Sequence, residues 1–153
     1  PPPPPPPPAP TSGSPGGGDS GNAGAIKNDY PYDASTCGDI DRWYYFACQC
    51  TSFVAWRINE RLGIEFTNKY KGAAWGNAEF WDDAAKEVGV KVDNTPVPGC
   101  IAQTDAGSAG HVAWVAAVDG DNVTIEEFNY VSIEQYSTRS VPKSTFRYIH
   151  IKY

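Results

Sequence analysis

The chain is poor in the features that would place it in a membrane or on a nucleic acid. It has no apolar run approaching the ~20 residues that a spanning helix needs, and no charged-then-apolar leader of the secretory type. It has no methionine, hence no initiator, so the sequence is expected to be a segment of a longer parent chain with additional domains. Basic residues are scarce: 12 Lys and Arg stand against 18 Asp and Glu, for a net charge of −6. They are scattered and form no stripe, which argues against nucleic-acid binding. An acidic domain is weakly repelled by an anionic surface, so affinity for an anionic cell envelope would have to come from a tethered module. There are no internal repeats. Histidine occurs only twice and cysteine four times, so few residues are available for nucleophilic or metal chemistry.

What is present divides sharply by composition. Pro1 to Pro8 is an unbroken proline run, and Gly, Ser and Pro dominate through Gly24. Such a stretch has little apolar surface to bury, and residues 1–28 read as a linker, extended in its proline part and flexible in its Gly/Ser part. Residues 29–153 carry the aromatics and the periodic patterns, enough for one domain with its own core.

The pivotal stretch is Gln49 to Arg57, QCTSFVAWR. Phe53, Val54, Ile58 and Leu62 recur at helical spacing, and Gly63 sits where a helix ends. Cys50 therefore falls in the first turn of a buried helix. Unpaired N–H groups and the positive end of the dipole favour thiolate over thiol there, the setting a cysteine nucleophile needs. A second helix is predicted after Asn77 as N-cap, with Phe80, Trp81, Ala84, Ala85 and Val88 as its buried face and Gly89 as its end. Strands are predicted at Cys100 to Gln103, His111 to Val118, Asn122 to Asn129 and Thr145 to Lys152. Helices first and an antiparallel meander afterwards make the class α+β.

Histidine is the usual base for a cysteine, and its second nitrogen needs an orienting acceptor. If Val118 pairs with Asn122 across a three-residue turn, His111 lies opposite Asn129 and Ala113 opposite Glu127. Those polar side chains then share one face. A two-residue turn pairing Asp119 with Asn122 sends His111 to the other face. The constellation thus requires a three-residue turn or a bulge near Gly120. Glu126 points away, as a solvated or structural residue, and His150 reads as a structural histidine.

The remaining cysteines suggest one disulfide, with Cys37–Cys48 preferred because the two flank a single short loop, whereas Cys48–Cys50 is too close to bridge without strain. A zinc site from Cys48, Cys50, Cys100 and His111 is a weaker alternative, since C-x-C is not the usual knuckle spacing. Trp43 to Phe46 is an aromatic run read mainly as core and lid packing for the helix. Trp75 is likewise read as core.

Three segments, QCTSFVAWR (Gln49–Arg57), GHVAWV (Gly110–Val115) and EEFNY (Glu126–Tyr130), resemble the signature blocks of CHAP domains, the cysteine, histidine-dependent amidohydrolases/peptidases. The resemblance implies a papain-like fold with N-terminal helices packed on a mainly antiparallel sheet. It implies Cys50 as nucleophile, His111 as base, Glu127 as acidic third member and Asn129 as accompanying amide, with Gln49 beside the nucleophile as an oxyanion donor. It implies a peptidoglycan hydrolase, either an N-acetylmuramoyl-L-alanine amidase or a stem or cross-bridge endopeptidase, that is secreted or in the cell wall, monomeric and cofactor-free. Some members hold calcium in an acidic loop before the cysteine; this chain offers only Asp39 and Asp41 there, well short of the roughly six to eight oxygens calcium takes. Two other readings stay open: a silent wall-binding module, with Cys50 tied to another cysteine, and an amidase or transpeptidase acting on non-wall peptide conjugates.

Overall fold

The computed structural model describes residues 23–152. Two helices, α1 (Cys50–Arg57) and α2 (Trp81–Glu87), precede and pack on six strands. The strands are β1 (Lys91–Asp93), β2 (Ile101–Thr104), β3 (His111–Asp119), β4 (Asn122–Phe128), β5 (Tyr136–Pro142) and β6 (Arg147–His150). They form one sheet in the order β1-β6-β2-β3-β4-β5, with every pairing antiparallel.

The chain reaches α1 through a loop closed by the Cys37–Cys48 disulfide. α1 continues into a wider π-type turn, Ile58–Leu62, and stops at Gly63, whose φ of +68° is the left-handed stop expected of glycine. Phe53, Val54 and Ile58 are fully buried. α1 packs on β3 and β4, where Phe53 stacks on Phe128 at 5.5 Å and Tyr30 sits 4.5 Å from Phe128. The helix is buried on nearly every side, Arg57 included. A buried guanidinium needs compensating partners: Glu126 at 2.8 Å, Asp29 at 2.8 Å and the Lys27 carbonyl at 2.9 Å. Glu126 is itself buried, so of the two roles expected for it, the structural one holds and the solvated one does not.

The second helix departs from its prediction. Asn77 makes no side-chain cap, a 3-10 turn over Ala78–Phe80 intervenes, and α2 begins only at Trp81. Trp81, Ala84 and Ala85 are buried as expected, but Phe80 is exposed. Trp75 is core, packed edge-on against Phe66 and Trp81.

The linker boundary also moves. Residues 23–28, which composition assigns to the linker, pack on the domain. Ala23 is fully buried, and its carbonyl accepts hydrogen bonds from Trp114 Nε1 and Arg61 Nη1. The Lys27 N–H donates to Glu126. Small residues allow this close approach: a Cβ on Gly24 would collide with the Arg61 guanidinium. Residues 1–22 of the linker reading lie outside the described residues. A domain starting at Asn28 or Asp29 is expected to melt about 5–10 °C below one starting at Ala23, because it leaves several buried donors unpaired. Equal melting curves would refute that packing.

Candidate active site

The register of the β3–β4 hairpin decides which side chains meet. The turn is the two-residue one, with Asp119 opposite Asn122. By itself that would set His111 on the wrong face. A bulge between Val115 and Ala117 restores the shift, so that Trp114 lies opposite Glu126 and the next pair out is Ala113 with Glu127. The bulge is inside β3 rather than at Gly120, and it aims His111 and Glu127 to the same side.

His111 Nε2 and Glu127 Oε1 are 2.8 Å apart, both almost wholly buried. With Nε2 held by the carboxylate, the other ring nitrogen is left for Cys50, which faces the imidazole from the start of α1. Burial opposes a charged imidazole, yet hydrogen bonds to Cys50 and Glu127 and their negative charges outweigh it and raise the His111 pKa to about 9. The same bonds to His111 and Arg139 hold the Glu127 carboxyl below its usual range despite burial. Gln49 is the N-cap residue and makes no side-chain cap, so it does not occupy the first-turn N–H groups around Cys50. Cys50 is a free thiol, half-exposed; Cys100 is free but buried, and burial pushes its thiol up to about 12.

Gln49 and Asn129 meet each other rather than the imidazole. Asn129 takes a left-handed conformation (φ +62°) just after β4; its Nδ2 donates to Gln49 Oε1 at 2.8 Å and its Oδ1 accepts the Glu134 N–H at 2.7 Å. Gln49, its Oε1 held by Asn129, lines the cleft next to Cys50. His150 is elsewhere, buried and bonded to Asp93 at 2.7 Å.

A cleft of about 620 Å³ opens over Cys50 and His111. Two loops line it, through Asn68 and Gly76 on one side and Ala106 to Gly110 on the other. Gly110 (φ +73°) must be glycine, since a Cβ there would lie 2.5 Å from the Glu79 backbone nitrogen. That close approach fixes the strand start that carries His111. The aromatic run splits: Trp43 and Tyr45 are core, whereas Tyr44 and Phe46 are exposed at the cleft. Tyr44 owes its outward turn to a left-handed φ of +70°, held by Asp41, which accepts the Trp43 and Tyr45 N–H groups. Among the described residues, no Asp, Glu, Lys or Arg lines the cleft.

Asp41 is thereby committed to its own loop, and burial holds its carboxyl above the usual carboxylate range. Asp39 is exposed. The pair does not fit a calcium site, which needs six or more converging oxygens. Among the described residues no three His, Cys, Asp or Glu side chains are grouped to hold a metal ion, so the zinc alternative also fails, Cys48 being in the disulfide.

A model of the CHAP domain family matches residues 40–129. The chain belongs to the CHAP domain family. Two curated relatives from Staphylococcus aureus are similar to it: the probable autolysin LDP, 43% identical over 52% of this chain, and the staphylococcal secretory antigen ssaA2, 39% identical over 56%. The chain spans 29% of the length of each. An N-acetylmuramoyl-L-alanine amidase from Staphylococcus aureus superposes with a TM-score of 0.61 at 25% identity, over 79% of this chain and 37% of that one. The structure of Ly7917 with a hydrolysis product of MDP shares the fold at 22% identity, with a TM-score of 0.52 over 67% of this chain and 53% of that one. The CHAP domain is thus α+β and papain-like, as its sequence blocks imply.

The raised pKa of His111 has a signed consequence. The imidazole is protonated through neutrality and loses its proton as pH rises through about 9. Its folded pKa lies above the ordinary value of 6.5, so the stability it contributes is full below that value and is lost through about 9. An NMR titration of His111 is expected to show that high midpoint, and Cys50→Ala to lower it. A midpoint near 6.5 in the wild type would contradict the pairing.

Proposed function

We propose that this CHAP domain is a peptidoglycan hydrolase that cleaves amide bonds through a thioester on Cys50. The observation that carries this reading is the alignment of a free helix-start cysteine and an imidazole that both line an open cleft, with a buried carboxylate bonded to the imidazole from behind. Similarity to an autolysin and to an N-acetylmuramoyl-L-alanine amidase supports the substrate class.

In this mechanism the Cys50 sulfur attacks the amide carbonyl. The Cys50 backbone N–H and the Gln49 amide donate to the developing oxyanion, Asn129 holding Gln49 in place. The His111 imidazolium, stabilised by Glu127, gives its proton to the departing amine. His111 then takes a proton from water as its oxygen attacks the thioester carbonyl, the C–S bond breaks to release the Cys50 thiolate beside the imidazolium, and the carboxylic acid product gives its proton to solvent. Asn129 thus serves Gln49 rather than the imidazole.

Apart from the Cys50–His111 pair, a cleft lined by no Asp, Glu, Lys or Arg favours a bond between neutral groups, such as the lactyl–alanine amide, over the charged positions of a peptide stem. The exposed rings of Tyr44, Phe46 and Tyr130 offer faces for a sugar or peptide. We place the domain outside the cell or in the wall, as a monomer within a larger chain. The silent-module reading needs Cys50 tied up, and the disulfide instead joins Cys37 and Cys48.

Mass spectrometry of soluble muropeptides after digestion tests the assignment. Stem peptides freed from intact muramyl sugars would support amidase action, and shortened stems or cut cross-bridges endopeptidase action. Intact muropeptides and walls would refute the hydrolase reading. Transfer to an added amine instead of water would identify a transpeptidase.

A further inference from the structure

Glu127 has a second partner that no signature block contains. Arg139 on β5 grips it with a fork: Nε lies 2.6 Å from Oε2 and Nη2 lies 3.0 Å from Oε1, the oxygen that also meets His111. The Ser137 hydroxyl adds a longer contact to Oε2 at 3.3 Å. The strand pairing explains the set. Glu127 lies opposite Ser137, and Arg139, two residues further along β5, projects from the same face. The guanidinium also lies over the Tyr130 ring at 4.3 Å, and that ring sits 4.5 Å from the His111 ring. β5 falls outside the residues that the family model matches.

We propose that Arg139 is a positioning residue for the reaction: its fork fixes the plane of the Glu127 carboxylate that orients His111, and its charge limits how tightly the unit holds a proton. The proposal rests on the thioester reading of the site. A buried carboxylate with only one hydrogen-bonding face occupied could rotate, and its charge would act on the imidazole unopposed. A bidentate guanidinium removes the rotation. Its positive charge, one carboxylate away from the imidazole, disfavours a second cation. The charged and titratable groups facing His111 are Cys50 from α1, Glu127 from β4 and Tyr130 from the following loop, with Arg139 from β5 acting through Glu127. β2 places Thr104 opposite His111, and the Phe146 ring approaches it from before β6; neither titrates.

In a Cys50→Ala background, NMR titration follows His111. Arg139→Gln is expected to raise the His111 midpoint by about one pH unit, a tenfold gain in proton affinity. Arg139→Lys, which keeps the charge, is expected to leave it nearly in place. With Cys50 intact, Arg139→Gln is expected to lower kcat about 10–100-fold with little change in KM, and to move the alkaline limb upward. Arg139→Lys should restore the limb but only part of kcat, because an ammonium cannot fork.

An unchanged His111 midpoint in Arg139→Gln, or full kcat in Arg139→Lys, would overturn the proposal. If the Gln variant does not fold, the kcat of Arg139→Lys decides alone. The titration needs no substrate, so a missing shift with normal hydrolysis sinks only the role of Arg139. A clear shift in a protein that hydrolyses nothing sinks only the hydrolase reading.

Discussion

Truncating Glu126 to alanine is expected to destabilise the domain by about 3–5 kcal/mol, the cost of leaving a buried charge without its partner. Glu126 and Arg57 are both inaccessible to solvent and 2.8 Å apart. The Tyr136 hydroxyl and the Lys27 N–H also donate to the same Glu126 oxygen. Arg57 would keep Asp29, which is partly exposed, and Glu60 at 3.2 Å, neither of which replaces a fully enclosed carboxylate. For a domain of this size the melting temperature should fall by about 10–15 °C. Below that transition hydrolysis should survive, because Glu126 faces away from the cleft. Chemical denaturation checks the figure, and a loss under about 1 kcal/mol would mean that water reaches Arg57.

The adjacent carboxylate should behave in the opposite way. Glu127→Gln is expected to lower kcat/KM by about 10³–10⁴, the scale seen when the orienting carboxylate of a triad is neutralised. Its stability cost should be smaller than that of Glu126→Ala, because Arg139 is partly exposed and can turn to water. The alkaline limb of activity should shift down, since the imidazolium loses its anion. Steady-state kinetics on soluble muropeptides reads both. If Glu126→Ala proved the more damaging to activity per folded molecule, the bulge in β3 would not be where we place it. Two neighbours on one strand thus separate stability from chemistry, because successive side chains point to opposite faces.

Much of this was legible in the sequence, and the failures have physical causes. The apolar stripe of α1 and the loop disulfide follow from spacing, and the period of two shows that His111 and Glu127 share a face only if the hairpin carries one extra residue. The location of the bulge does not, because Val115-Ala116-Ala117 carries no turn residue to mark it. β5 was missed because it is an edge strand whose sequence, YSTRSVP, lacks an apolar alternation and ends in proline. With it went Arg139, whose contact with Glu127 spans 12 residues of sequence and depends on the β4–β5 pairing. Asn129 was expected beside the imidazole as an extended residue. Its left-handed backbone turns the amide to Gln49 instead. The linker boundary was set by composition, and composition does not register that the small residues Ala23 and Gly24 fit under Arg61 and Trp114.

The most direct measurement is release of soluble fragments from purified, dye-labelled peptidoglycan by the wild-type domain and by Cys50→Ala, at matched concentration and with melting curves recorded for both. The account predicts release by the wild type, a drop of at least about 10⁴-fold in Cys50→Ala, and melting temperatures within a degree or two of each other. Comparable release by a folded Cys50→Ala protein would contradict the account.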